Sequence, residues 1–123
     1  MASGVFASLS PLVGGLLVAT PLVIGFGQIL FKMAGDRFAA TGKPFMWIAV
    51  EPLFVAACAL YGVATFMWVY VLKSVPLSFA YSFMALSYVL VPVLAWWLLG
   101  ESVGLKYAVG TSLIIAGLLV AQS

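Results

Sequence analysis

Apolar positions in this chain follow neither the helical nor the strand period; they run in long blocks that a few charges interrupt. The first block, Ala2 to Phe31, holds no charged residue across 30 positions. It lacks the basic stretch that precedes the apolar core of a secretory leader, so a retained membrane span is expected. About 20 apolar residues cross a hydrocarbon core of about 30 Å as a helix. On that scale the pattern predicts four spans, at about 13–34, 52–73, 77–99 and 105–121, in a single domain over 1–123.

The punctuation between blocks supports the count. AGDRFAATGKPF, 34–45, carries two glycines, a proline and three charges, and reads as the one exposed loop of any length. Pro52 suits a first helical turn, where its missing N–H is not needed, and Glu51 before it favours a helix start through the dipole. SVPLS and GESVG are tight turns, with Gly100 placed to end one helix and Ser102 to cap the next. Connections this short make neighbouring helices antiparallel and leave no domain outside the membrane. The fourth span is short enough to need local thinning or polar anchors.

Composition changes the picture only by excluding alternatives. With 66% hydrophobic and 7% charged residues, the chain is an all-α membrane protein rather than a soluble bundle. Histidine is absent, and the three carboxylates, Asp36, Glu51 and Glu101, are far apart in sequence. That pattern offers no catalytic triad and no metal site, and no cofactor is expected. A net charge of +2, dispersed, gives no basic patch for nucleic acid. The lone Cys58 cannot form an intrachain disulfide and reads as a small buried apolar residue.

Charge asymmetry predicts orientation. Lys32, Arg37, Lys43 and Lys106 fall on one side of the four spans and Lys73 on the other, so the first and third loops are expected in the cytoplasm and both termini outside. Trp68 and Tyr70 near one end, and Trp96, Trp97 and Tyr107 near the other, fit aromatic belts. All three carboxylates then share the cytoplasmic end with Lys32, and an anionic head on an apolar tail would meet its strong polar partners there.

The motifs GQILFK, WVYVLKSVPLSFAY, LLGES and GTSLIIAG, spread over nearly the whole chain, resemble the drug/metabolite transporter superfamily. Two of its branches have this size: the small multidrug resistance exporters, and the EamA-like subunits that flip undecaprenyl-phosphate-linked aminoarabinose in the bacterial inner membrane. The exporters carry a membrane-embedded glutamate eight residues before the lysine that matches Lys32; here that position is Ile24. Such a carboxylate lets proton and cation compete for one site, because desolvation raises its pKa, and isoleucine cannot do this. The exporters' tryptophan in the third span corresponds to Met84, and their glycine-rich kink to Leu86, Ser87 and Tyr88. The GQ with its following lysine, the VP, the AY and the glutamate after the third span are shared with the flippase subunits. Ser82 stands where those subunits often have proline, and Pro92 is a further candidate for a bend.

The resemblance implies a small multidrug resistance-like bundle that works as a dimer and translocates a polyprenyl-phosphate-linked sugar. Its expected partners are membrane lipid, that substrate and a second copy or a related four-helix chain. Substrate-binding candidates are Lys32, Gln28, Glu101, Glu51 and Tyr81. Lys32 reads as a snorkelling anchor or as a phosphate partner. Gln28, one turn deeper on the same face, reads as interhelical glue or as a headgroup contact. Glu101 reads as a solvated turn residue, a partner for Lys32 or a ligand for an amino sugar. Tyr81 recurs with Met84 and Tyr88 on a stripe that packing alone would also produce. Gly110, Leu113, Ile114 and Gly117 resemble the exporters' dimerisation face, although tight packing within one subunit would also use the two glycines. Two other functions stay open: an exporter of small molecules, and a non-transporting subunit of a membrane glycosylation complex.

Overall fold

A computed structural model describes residues 9–123, and among these the chain is helical throughout its regular structure. The start of the first apolar block, residues 1–8, lies outside the described residues. Helix α1 spans Pro11–Ala39, α2 Pro52–Leu72, α3 Leu77–Ser82, α4 Ala85–Leu99 and α5 Leu105–Gln122, with a short 3₁₀ segment at Phe45–Val50. Four stretches are long and apolar enough to cross a bilayer: α1, α2, α3 with α4 as one broken span, and α5. The protein is a multi-pass membrane protein.

Local chemistry sets the helix ends. The Ser10 hydroxyl accepts the Val13 N–H at 3.2 Å and Pro11 follows it, a favoured way to start a helix. The loop expected from Ala34 opens only after Ala39, six residues late. Nothing in 34–39 breaks a helix: Lys32 and Asp36 pair at i, i+4, and Arg37 in the last turn complements the dipole. The first residue of positive φ after α1 is Gly42, at φ +67°. Pro52 opens α2, and Glu51 caps it by accepting the Leu53 N–H at 3.5 Å. Gly100 ends α4 with φ +71°, as its position in LLGES suggests. Ser102 does not cap the next helix; Gly104 takes that position and no side chain supports it.

The third span breaks between α3 and α4. Around Phe83 and Met84 the bonding tightens to i→i+3, with the Leu86 N–H on the Phe83 carbonyl at 3.1 Å and the Ser87 N–H on the Met84 carbonyl at 3.0 Å. The Ser87 hydroxyl donates to that same Met84 carbonyl at 2.6 Å. Pro92 lies inside α4, which runs on past it.

Helix α1 is the centre of the bundle, with α2 on one side and α4 on another. Toward one end, Val13 and Leu17 bury against Val71, Val75, Phe79 and Ala80. Toward the other, Ile29 packs on Leu94 and Ala95. Two glycines let the neighbours come close: Gly25 faces Leu90 of α4, and Gly27 faces the Tyr61 ring of α2. Cys58 is exposed rather than buried, on a helix whose outer side is apolar, and an apolar side facing lipid needs no protein cover.

Helix α5 is different, since none of its residues is buried. Its firmest tie is at its last turn, where the Gln122 amide donates to the Ser78 carbonyl at 3.0 Å and to the Ser82 hydroxyl at 2.7 Å. A Cβ built on Gly110 or Gly117 meets nothing within 4 Å, so these glycines do not serve close packing inside the subunit.

Candidate functional site

Successive spans alternate in direction, which gathers the end of α1, the start of α2 and the end of α4 at one end of the bundle. The Arg37–Glu51 pair, Nε to Oε1 at 3.4 Å, closes that end between α1 and α2. Glu51 is thereby committed to fold chemistry: it is nearly covered, it caps α2, and it balances Arg37. A ligand role for it would need both contacts released.

Gln28, Lys32 and Asp36 are each four residues apart and line up along α1. Gly27 and Phe31 mark the side of α1 that meets α2, and Gly25 and Ile29 the side that meets α4. At about 100° per residue Gln28 and Lys32 fall between those two sides and Asp36 turns toward the α4 side; all three are exposed on the crevice-like face that α2 and α4 flank. Its members span about 12 Å of helix axis from Gln28, the deepest, to Asp36.

Each member has a partner. The Gln28 amide donates to the Tyr61 hydroxyl of α2, in a very close contact. The Tyr61 ring is held in turn by Phe31, with ring centroids 5.1 Å apart, and Phe31 also meets Phe54 at 5.7 Å. Lys32 pairs with Asp36 at 3.0 Å, both half exposed. Glu101, in the turn after α4, is close enough for its charge to act on Lys32, but it forms no salt bridge. The partner anticipated for Lys32 across the bundle is thus replaced by a local one. A residue four positions on, in a continuing helix, needs no interhelical geometry to be met.

Tyr81 does not join this group. It is exposed in α3, at the start of the broken span whose other end carries Glu101. The residues that sequence reasoning missed are Asp36, which it placed in a loop, and Tyr61, which lies mid-helix in an apolar run with no local pattern to single it out. The only signal of Tyr61 was being a phenol among aliphatic residues in a membrane span. A separate apolar hollow of about 380 Å³, lined by Phe26, Leu30 and Met33 of α1 with Leu60 and Leu98, lies on another side of α1 and offers room for hydrocarbon only. No group of side chains that could hold a metal occurs among the described residues.

Sequence comparison adds to this geometry. A probable 4-amino-4-deoxy-L-arabinose-phosphoundecaprenol flippase subunit ArnE from Sodalis glossinidius is 33% identical over 107 residues, covering 85% of this chain and 91% of that one. The chain belongs to the ArnE flippase-subunit family. Its similarity to the subunit of the same name from Erwinia tasmaniensis is 30% over 108 residues, 88% and 94% of the two chains. For the Salmonella typhimurium subunit it is 29% over 115 residues, 91% and 98%. These ArnE relatives are named as flippase subunits, which are transporters and not enzymes. No family-wide sequence profile matches the chain, and no solved structure does. The missing exporter carboxylate at Ile24 accords with membership of this family.

Proposed function

We propose that the chain is a subunit of a bacterial inner-membrane flippase that carries a polyprenyl-phosphate-linked amino sugar across the bilayer. The observation that carries this reading is the stripe on α1: an amide and an ammonium in an exposed crevice at membrane depth, reached from the charged end, in a chain of the ArnE family. Lys32 is the phosphate partner, a compact cation suited to a phosphate without fork geometry. Gln28, steadied by Tyr61, hydrogen-bonds to the same headgroup one turn deeper. The polyprenyl tail stays in lipid while the head moves along the crevice. With Ile24 at mid-span, no carboxylate lies at the middle of α1 to couple transport to protons.

The name subunit borne by the relatives supports assembly with another four-helix chain, or with a second copy. Helix α5, with Leu113, Ile114 and Gly117 exposed and Gly110 half-covered, is the face proposed for that contact. The Lys/Arg asymmetry supports placing the stripe's open end at the cytoplasm and both termini outside.

The test is direct. Purified protein in nanodiscs is titrated with undecaprenyl phosphate bearing 4-amino-4-deoxy-L-arabinose and read by native mass spectrometry, for wild type and Lys32→Ala. Loss of a charge-assisted contact to phosphate predicts roughly tenfold weaker binding. Equal binding by the two proteins would remove the phosphate role from Lys32.

A further inference from the structure

The charges at the mouth of the crevice are not those of a simple anion site. Lys32 is already half of an ion pair with Asp36 at 3.0 Å. Glu101 adds a second carboxylate within electrostatic reach of Lys32 and has no salt bridge of its own. The other cation of α1, Arg37, is held by Glu51 at 3.4 Å, while Lys43 and Lys106 on the flanking segments form no ion pair with any of these groups. One available ammonium is therefore paired with one carboxylate and under the weaker influence of a second. A plain phosphodiester would meet more negative charge than positive there.

The order of the groups along α1 removes the contradiction. Read outward from the middle of the span, the stripe runs from apolar residues to the Gln28 amide, the Lys32 cation and the Asp36 anion. A lipid-linked amino sugar held by its tail in the same bilayer runs, in the same direction, from hydrocarbon to phosphate anion to sugar to ammonium. The two sequences of charge are complementary in register. Lys32 and Asp36 are about 6 Å apart along the helix axis, a distance that one sugar ring with substituents on opposite sides can bridge. Both side chains are exposed, so exchanging their mutual contact for two contacts to a ligand costs little desolvation.

Resting on the flippase reading above, we infer that Asp36, assisted by Glu101, is the specificity-determining residue that selects an amine-bearing headgroup over a neutral one. In the unloaded subunit Asp36 occupies the place of the phosphate on Lys32. In the loaded subunit the phosphate takes Lys32, and the released Asp36 carboxylate accepts from the sugar ammonium. The ion pair is thus both a stand-in for the substrate and a filter for it. A neutral-sugar carrier displaces Asp36 from Lys32 without giving it a new partner.

The experiment compares two carriers, undecaprenyl phosphate bearing 4-amino-4-deoxy-L-arabinose and its N-formyl derivative, which keeps the phosphate and loses the positive charge. Binding of each is measured by native mass spectrometry on the full chain in nanodiscs, for wild type, Asp36→Asn and Glu101→Gln. Wild type is expected to favour the free amine about fivefold, the scale of one exposed ion pair. Asp36→Asn should remove most of that preference and bind the N-formyl carrier at least as well as wild type does, because Lys32 is no longer neutralised by Asp36. Glu101→Gln should reduce the preference by a smaller factor. Asparagine at an exposed helical position is tolerated, and circular dichroism of the variant checks the fold. Wild-type binding of both carriers with no preference, or a preference undiminished in Asp36→Asn, overturns the selectivity role and leaves the flippase reading standing. Binding of neither carrier by wild type overturns both.

Discussion

Replacing Gly27 with alanine tests whether the α1–α2 contact beneath the polar stripe is as tight as its geometry indicates. A Cβ at that position would lie 2.8 Å from Cε2 and 2.9 Å from Cδ2 of Tyr61. Comfortable carbon contacts begin at about 3.5 Å, so the ring must withdraw by about 0.7 Å. It is not free to do so, because Phe31 packs on it with centroids 5.1 Å apart and the Gln28 amide is bonded to its hydroxyl. Overpacking of this kind costs about 1–3 kcal/mol, whereas glycine to alanine inside a helix gains up to about 1 kcal/mol. The net is a loss of roughly 1–2 kcal/mol, taking the middle of the overpacking range. Two other glycines of α1 calibrate the measurement. Gly35→Ala meets nothing within 4 Å and should stabilise by the propensity gain alone. Gly25→Ala meets first the tip of Leu90, Cδ2 at 2.7 Å, which can rotate away, and should fall between the other two. Reversible unfolding in mixed micelles with increasing dodecyl sulfate, followed by tryptophan fluorescence, ranks all three. If Gly27→Ala proves as stable as Gly35→Ala, the close approach of Tyr61 is not present in the membrane. Tyr61→Leu in the Gly27→Ala background should recover part of the loss, which a purely backbone effect would not allow.

Two further outcomes bear on the site and on the last helix. Tyr61→Phe keeps the ring and removes the hydroxyl that accepts from Gln28; it should weaken binding of the amine-bearing carrier about threefold while changing stability by less than about 1 kcal/mol. An unchanged affinity in the same titration would reduce the Gln28–Tyr61 bond to interhelical glue. Gln122→Ala removes both hydrogen bonds from α5 to α3, so amide hydrogen exchange should rise by about tenfold along α5 while α1 and α2 stay protected. Equal exchange in mutant and wild type would mean that α5 is held by something other than its last turn.

The four spans were legible because lipid leaves a strong mark on sequence: about 20 apolar residues, ended by a charge, a proline or a glycine. Gly100 and Pro52 do in the structure what their residue types suggest. The extension of α1 to Ala39 was hidden by composition, since AGDRFA is polar enough to read as loop yet contains nothing that forbids a helix. The break at Phe83 and Met84 has neither glycine nor proline, so no local signal announces it. Ser87 supports the tightened turn with its hydroxyl, but serine is too common a residue to signal that in advance. Pairing within the site divides in the same way. Lys32 with Asp36 follows a spacing rule and was available to anyone who extended the helix far enough. Gln28 with Tyr61 joins positions 33 apart on separate helices, and only the packing of α1 on α2, made possible by Gly27, brings them together.

Helix α5 adds no buried side chain to the chain that carries it. Natural variation along its outward surface is therefore felt by whatever lies alongside, lipid or another polypeptide, and hardly at all by the folding of α1, α2 and α4. Two properties that usually constrain each other in so small a protein are thereby uncoupled. The company the chain keeps can drift through mutations in its last 19 residues, Leu105 to Ser123, while the crevice proposed to take the headgroup is inherited unchanged.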